Sequence, residues 1–236
     1  MSTRYVAIIA DGNRRWARAR GLSVRQGHEA GAETLKARLR DAAELGIEEL
    51  SVYSFSTENW ARPAEEVQGL VAMLAQRIAR ETPNLHAQGV RMRFLGGRER
   101  IPAPLAEQMS RAESLTHANR GLTLLIAFNY GGRAEILDAA RRFDPKRVAQ
   151  SAEEEEFRRL LYAPDMHDPE LVIRTGGERR LSNYLLWQSA YSELVFRDEL
   201  WPDFTRDDLE RSLAEFSERK RRFGGRSSEI RDVSSK

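Results

Sequence analysis

Four short apolar runs in this chain each stop at a cluster of polar side chains, and that repeated ending constrains the fold more than any other feature. The first run, Tyr5 to Ala10, is β-branched at Val6, Ile8 and Ile9 and stops at Asp11-Gly12-Asn13-Arg14-Arg15-Trp16. The second, Leu50 to Phe55, stops at Ser56-Thr57-Glu58-Asn59-Trp60-Ala61-Arg62-Pro63. The third, Leu122 to Phe128, gives way to Asn129-Tyr130-Gly131-Gly132-Arg133, and the fourth, Leu171 to Ile173, to Arg174-Thr175-Gly176-Gly177. Unbroken apolar runs of this length suit strands covered on both faces of a parallel sheet. In open α/β sheets the ligand crevice lies beyond the carboxyl ends of such strands. With Val90 to Leu95 and Tyr191 to Phe196 as further strands, the expectation is a single α/β domain around a central, mostly parallel six-stranded sheet.

Between these runs the apolar spacing becomes helical. A short basic helix is expected from Arg15 to Arg20, stopped by Gly21, and a longer one carries Leu35, Leu39, Ala42 and Ala43 to a stop at Gly46. Pro63 suits a helix start, after which Val67, Leu70, Val71, Leu74 and Ile78 form one stripe reaching about His86. Further helices are expected over Pro104 to Thr116, Ala134 to Arg142 and Arg206 to Arg219. The run Glu153 to Glu156 reads as a solvated helical face.

Composition narrows the class by exclusion. A net charge of +2 on 236 residues, with both signs interspersed, is no footprint of nucleic-acid binding. The absence of cysteine removes disulfide scaffolds, thiolate metal sites and cysteine nucleophiles. The N-terminus leads almost directly into the first strand, so no signal peptide is expected, and no apolar run approaches a membrane span. These features fit the cytosol.

The strand ends carry the chemistry. Gly12 permits close backbone approach to an anion, Asn13 tolerates left-handed conformations, and a helix starting at Arg14 or Arg15 would aim its positive end at the same place. A carboxylate beside a phosphate repels it unless a cation lies between, so Asp11 reads as a Mg²⁺ ligand, or else as an N-cap in an ordinary turn. Arg174 and Arg180 flank two glycines and Ser182 adds a hydroxyl, which suits a second anion site. Glu193, near a strand start, needs an arginine or a metal as partner. His28 is either a capping residue or a ligand contact. His86, His117 and His167 have no metal-ligand spacing.

With these motifs in order, the chain resembles the cis-prenyltransferases, the undecaprenyl diphosphate synthase family of isoprenyl transferases, from Val6 to Gly225. Also matching are Gly27-His28 with Gly31, Arg180-Leu181-Ser182-Asn183 and Tyr191-Ser192-Glu193-Leu194. The resemblance implies a transferase that adds isopentenyl diphosphate repeatedly, with Z double bonds, to an allylic diphosphate such as farnesyl diphosphate. Undecaprenyl or a similar long-chain diphosphate for a cell-wall lipid carrier is the implied product. It implies that Asp11 and Glu193 bind Mg²⁺. Gly12, Asn13, Arg14, Arg15, His28 and Arg62 would hold the allylic diphosphate, and Arg174, Arg180 and Ser182 that of isopentenyl diphosphate, with Leu181 a further substrate-binding residue. Trp16 and Trp60 would shape the meeting place of the hydrocarbons, with Ser56, Thr57 and Glu58 in a loop closing over substrate. Asn59 is associated with proton loss, although a neutral amide better orients a diphosphate oxygen that takes the proton.

The helical stripe from Val67 to Ile78 then gains a second reading, as one wall of a hydrophobic tunnel. Ser54 sits where a bulky residue would shorten the product. Arg222-Phe223-Gly224 matches an Arg-x-Gly that reaches a neighbouring subunit, implying a homodimer, and residues 226–236 read as a polar, disordered tail beyond a domain of residues 1–225. A long lipid product implies peripheral contact between a cytoplasmic enzyme and the inner membrane face. One departure stands out: the family arginine expected at Val24 is absent, and Arg25 is its nearest substitute. A Mg²⁺-dependent diphosphate hydrolase would need no second anion site, and a non-catalytic partner subunit would be expected to lack Asp11, Asn59 or the arginine loop.

Overall fold

Burial on both faces of the strands sets the architecture. The structure, a computed structural model, describes residues 3–219. Along β1 (Tyr5–Ile9), Val6 and Ile8 enter one apolar cluster while Tyr5, Ala7 and Ile9 enter another, each at most 5% exposed. A strand with no solvent face belongs inside a covered sheet.

The chain continues through α1 (Asn13–Ala19), α2 (Val24–Glu44), β2 (Glu49–Ser56), α3 (Ala64–Ala87), β3 (Arg91–Leu95) and α4 (Ala103–Thr116). It closes with β4 (Thr123–Tyr130), α5 (Gly132–Arg142), α6 (Glu153–Arg158), β5 (Leu171–Arg174), β6 (Glu193–Phe196) and α7 (Arg206–Glu218). The six strands lie in the order β3-β4-β2-β1-β5-β6, and every pairing is parallel. Side chains of α2, α3, α4 and α7 cover the face that carries Val6 and Ile8. No helix among the described residues is long and apolar enough to cross a membrane.

Element ends differ from expectation for local reasons. Helix α2 starts at Val24 because Ser23 and Gln26 form a reciprocal capping box. Helix α1 starts at Asn13, one or two residues early, directly after Gly12 at φ 118°. Strand β4 absorbs Asn129 and Tyr130, which the sequence places in a turn, because pairing with β2 continues past register shifts as far as Ser56↔Tyr130. The Arg222-Phe223-Gly224 segment and the tail from 226 lie outside the described residues.

Candidate active site

Where strand order reverses, between β1 and β5, the ends of the two strands face a shared crevice. Asp11 follows β1 and Arg174 closes β5, with Ile9 and Arg174 in register. Arg174 Nη2 donates to Asp11 Oδ2 at 2.9 Å, and Arg15 Nη2 lies 3.3 Å from Oδ1. The Asp11 main chain is clamped: its N–H donates to Thr175 Oγ1 at 3.0 Å, and its carbonyl accepts from Thr175 Oγ1 at 2.7 Å and Trp201 N–H at 2.9 Å. Thr175 and Trp201 are thus positioning residues that the sequence did not single out.

Arg174 has a side chain only 5% exposed and is itself held in place. Its Nη1 donates to the Arg180 carbonyl at 2.5 Å and to Ser182 Oγ at 2.6 Å, while its buried Nε has no partner. A buried guanidinium with an unfilled donor beside a hydroxyl and a second arginine is prepared to receive an anion.

From this corner opens a cavity of about 660 Å³. Its polar end is lined by Asp11, Gly12, Asn13, Arg14, Arg15, His28, Ser56, Asn59, Arg62, Arg174, Arg180 and Ser182. Leu35 and Leu39 of α2, Leu70, Leu74 and Ile78 of α3, and Val52, Leu124, Ile126 and Phe128 of the sheet form an apolar body. Charged and polar side chains thus share one cavity with an apolar lining. Lys36, Arg77 and Glu81 also border the cavity. There α2 and α3 are bridged by ion pairs, with Lys36 Nζ 2.9 Å from Glu81 Oε2 and Arg80 Nη2 3.2 Å from Glu33 Oε1.

Two polar side chains are aimed by their neighbours. Asn13 turns its buried, unpartnered Oδ1 to Gly31, where an added Cβ would lie only 2.2 Å away, and this leaves its Nδ2 as the free donor. Asn59 Oδ1 accepts from Ser56 N–H at 3.1 Å, so its Nδ2 is likewise left to donate.

His28 is neutral near pH 7. Burial first, and the Arg62 guanidinium second, push its pKa from the ordinary 6.5 down to about 4, against an opposing pull from Glu66. Between those values the unfolded chain takes up a proton that the folded chain refuses. The associated stability is complete above pH about 6.5 and is lost as pH falls toward about 4. His28→Gln should therefore lose less of its thermal midpoint between pH 7 and 4.5 than the parent chain, measured by calorimetry at matched ionic strength. An identical loss in both proteins would remove this assignment.

Other expected site residues lie elsewhere. Trp16 is outside the cavity lining: its Nε1 donates to Asp203 Oδ1 at 2.6 Å, and Arg20 stacks over its ring at 4.4 Å. Trp60 packs edge-on to Phe55 and donates to Asn129 Oδ1 at 2.6 Å. Arg25 is exposed and donates to Glu29 Oε1 at 2.9 Å, so the structure does not bring it to the cavity. Thr57 and Glu58 sit in a single-turn helix over 57–61, and Leu181 packs toward the cluster on the opposite sheet face.

Glu193 opens β6, opposite Leu171, at the amino end of the sheet. About five residue rises, roughly 16 Å along the strands, separate it from the level of Asp11. Arg219 Nη1 donates to its Oε2 at 2.9 Å. Within one chain Glu193 and Asp11 do not converge, and the partner Glu193 has here is an arginine.

The comparisons with known proteins agree with one another. The prenyltransferase family model, described as undecaprenyl diphosphate synthase, matches residues 9–224. An isoprenyl transferase of Thermotoga maritima is 51% identical over 225 residues, covering 94% of this chain and 96% of that protein. Isoprenyl transferase 2 of Bradyrhizobium diazoefficiens is 47% identical over 226 residues, covering 94% and 90%. Among solved structures, lavandulyl diphosphate synthase from Lavandula x intermedia, in complex with dimethylallyl diphosphate, superposes with a TM-score of 0.88 at 33% identity, covering 95% of this chain and 99% of that one.

Proposed function

The chain belongs to the undecaprenyl diphosphate synthase family of prenyltransferases, and on that premise we propose that it elongates an allylic diphosphate such as farnesyl diphosphate with successive isopentenyl units in Z configuration. It is a transferase acting on isoprenoid diphosphates; the long-chain product and its use as a cell-wall lipid carrier are our reading. The observation that carries it is one cavity lined both by Asp11 with Arg14, Arg15, Arg62, Arg174 and Arg180 and by apolar side chains of α2, α3 and the sheet.

The residues divide the work. Arg14, Arg15, Arg62, His28 and the Asn13 amide would hold the allylic diphosphate, and Arg174, Arg180 and Ser182 the diphosphate of the isopentenyl unit. Cleaving an allylic C–O bond builds negative charge on the departing diphosphate, so fixed donors that grip harder as charge grows lower the barrier. Separate grips on the two substrates align alkene and allylic carbon, replacing a bimolecular encounter. Asn59, with only its Nδ2 free, would orient a diphosphate oxygen that accepts the released proton.

Asp11 suits a Mg²⁺ ion. Among the described residues no group of three acidic, histidine or cysteine side chains is arranged to hold a metal ion, so one carboxylate plus substrate oxygens and water would complete the shell, a pattern typical of Mg²⁺. When bound, the ion supplies charge neutralisation at the leaving group. We also take the active form to be a cytoplasmic homodimer touching the inner membrane face, with Arg222 and Gly224 completing a neighbouring site.

Incubation with farnesyl diphosphate, labelled isopentenyl diphosphate and Mg²⁺ in mild detergent tests the reading. Long Z-polyprenyl diphosphates support it, whereas phosphate release without elongation means a hydrolase, and inert folded protein means a partner subunit. Each additional buried CH₂ stabilises the bound chain by about 0.8 kcal/mol, so cavity depth sets the product length. Ser54 borders the cavity. Ser54→Phe should shift the product distribution to fewer added units, read by mass spectrometry; an unchanged distribution would place chain termination elsewhere.

A further inference from the structure

We infer that Asn183 is a positioning residue coupling the isopentenyl diphosphate subsite to the turn over the allylic subsite, an inference that rests on the two-diphosphate reading above. Ser182 and Asn183 are consecutive left-handed residues, at φ 49° and 66°. Asparagine is among the few residues that adopt this conformation readily. The strained pair stands at a junction of three segments.

Two of the three hydrogen bonds that Asn183 makes among the described residues fasten it to the first turn of α5. Gly132 N–H donates to its carbonyl at 2.7 Å, and Arg133 N–H donates to its Oδ1 at 2.8 Å. With Oδ1 engaged by a backbone donor, the amide has one orientation. Its Nδ2 must face Glu58, where it donates to Oε1 at 2.8 Å. Glu58 precedes Asn59, whose amide reaches the polar end of the cavity.

On the other side, Ser182 Oγ and the Arg180 carbonyl both accept from Arg174 Nη1. A diphosphate bound across Arg174, Arg180 and Ser182 steadies the left-handed pair, and Asn183 passes that order to the 57–61 turn. Glu58 is the receiving end and stays ionised. Burial works against this, but hydrogen bonds from its own backbone N–H, Asn183, Ser56 and Thr57 hold it below the usual carboxylate range. By linkage the coupling is mutual: each substrate raises the affinity for the other by the same factor.

The test uses the full chain with Mg²⁺. The affinity for farnesyl thiolodiphosphate, an unreactive allylic analogue, is measured by calorimetry with and without saturating isopentenyl diphosphate, beside hydrogen exchange over residues 56–62. In the parent chain isopentenyl diphosphate should tighten analogue binding by about fivefold or more and slow exchange in that segment. Asn183→Asp keeps the left-handed backbone and the acceptor for Arg133 but sets a carboxylate against Glu58, so both effects should vanish. Adding Glu58→Gln reverses the donor–acceptor pair and should restore at least half of the coupling. Parent-like coupling in N183D overturns the inference, as does a loss that the double variant leaves unrepaired. If the parent chain binds neither diphosphate, the functional reading falls and the coupling with it. If it makes polyprenyl diphosphate while N183D couples normally, only the coupling is refuted.

Discussion

Asp11→Ala should lower kcat by on the order of 10³-fold, with a smaller change in the KM for either substrate. Asp11 faces two arginines, at 2.9 Å and 3.3 Å, which fix its carboxylate where leaving-group charge must be balanced. A preorganised group at the reacting centre contributes mainly to the transition state, and its removal appears in kcat. The same change also leaves Arg174 with a carbonyl and a hydroxyl but no carboxylate among the described residues. For a nearly buried guanidinium this should cost about 1–3 kcal/mol of stability, discounted toward the low end because Asp11 is partly exposed. Added inorganic diphosphate should recover part of the lost thermal midpoint, since the released arginine then has an anion to hold. Steady-state kinetics and calorimetry on one preparation separate the two effects. More than a tenth of parental kcat in D11A would refute the role given to this carboxylate.

How far such roles can be read from residues alone depends on where each side chain finds its partner. The place of Asp11, Arg174, Arg180 and Ser182 beside the cavity was legible because a strand that ends in polar residues puts them at the edge of the sheet, whatever the rest of the chain does. The places of Trp16 and Arg25 were not. Each lies on a helix whose rotation is set by distant contacts, Trp16 by Asp203 and α2 by the seat of Gly31 against Asn13 and Trp201. For Glu193 the place near a strand start was visible, and of the two partners a carboxylate there can take, an arginine or a metal, the one within the described residues is Arg219. The α2 capping box was present in Ser23-x-x-Gln26 and simply outweighed by the motif that follows it. The charged border of the cavity could not be foreseen, because Lys36 and Glu81 are ordinary surface residues on two helices until α2 and α3 are laid side by side.

Gly12→Ala is the substitution expected to damage fold and site together. At φ 118° an L side chain is strained, and an added Cβ would sit 2.9 Å from Leu200 Cα. Leu200 has no freedom to retreat. The next residue, Trp201, is 2% exposed, donates its N–H to the Asp11 carbonyl at 2.9 Å, and donates its Nε1 to the Gly31 carbonyl at 2.8 Å. Relief must come from the Asp11-Gly12-Asn13 turn itself, which moves the carboxylate and the Asn13 amide away from the cavity. Backbone strain of about 1–2 kcal/mol and overpacking of about 1–3 kcal/mol both arise from the one added Cβ, so the loss should lie between the larger of them and their sum. A displacement on the order of 1 Å at the reacting groups should cost roughly 10²-fold in kcat/KM. Gly21 provides the internal comparison. It also has a positive φ, +66°, but nothing lies within 4 Å of its added Cβ. Gly21→Ala should therefore lose only about 1 kcal/mol and keep parental kinetics. Denaturant melts and initial rates on the two variants separate conformational strain from steric displacement of the site. Equal kinetic losses in both would show that the contact with Leu200 is not what holds the turn in place.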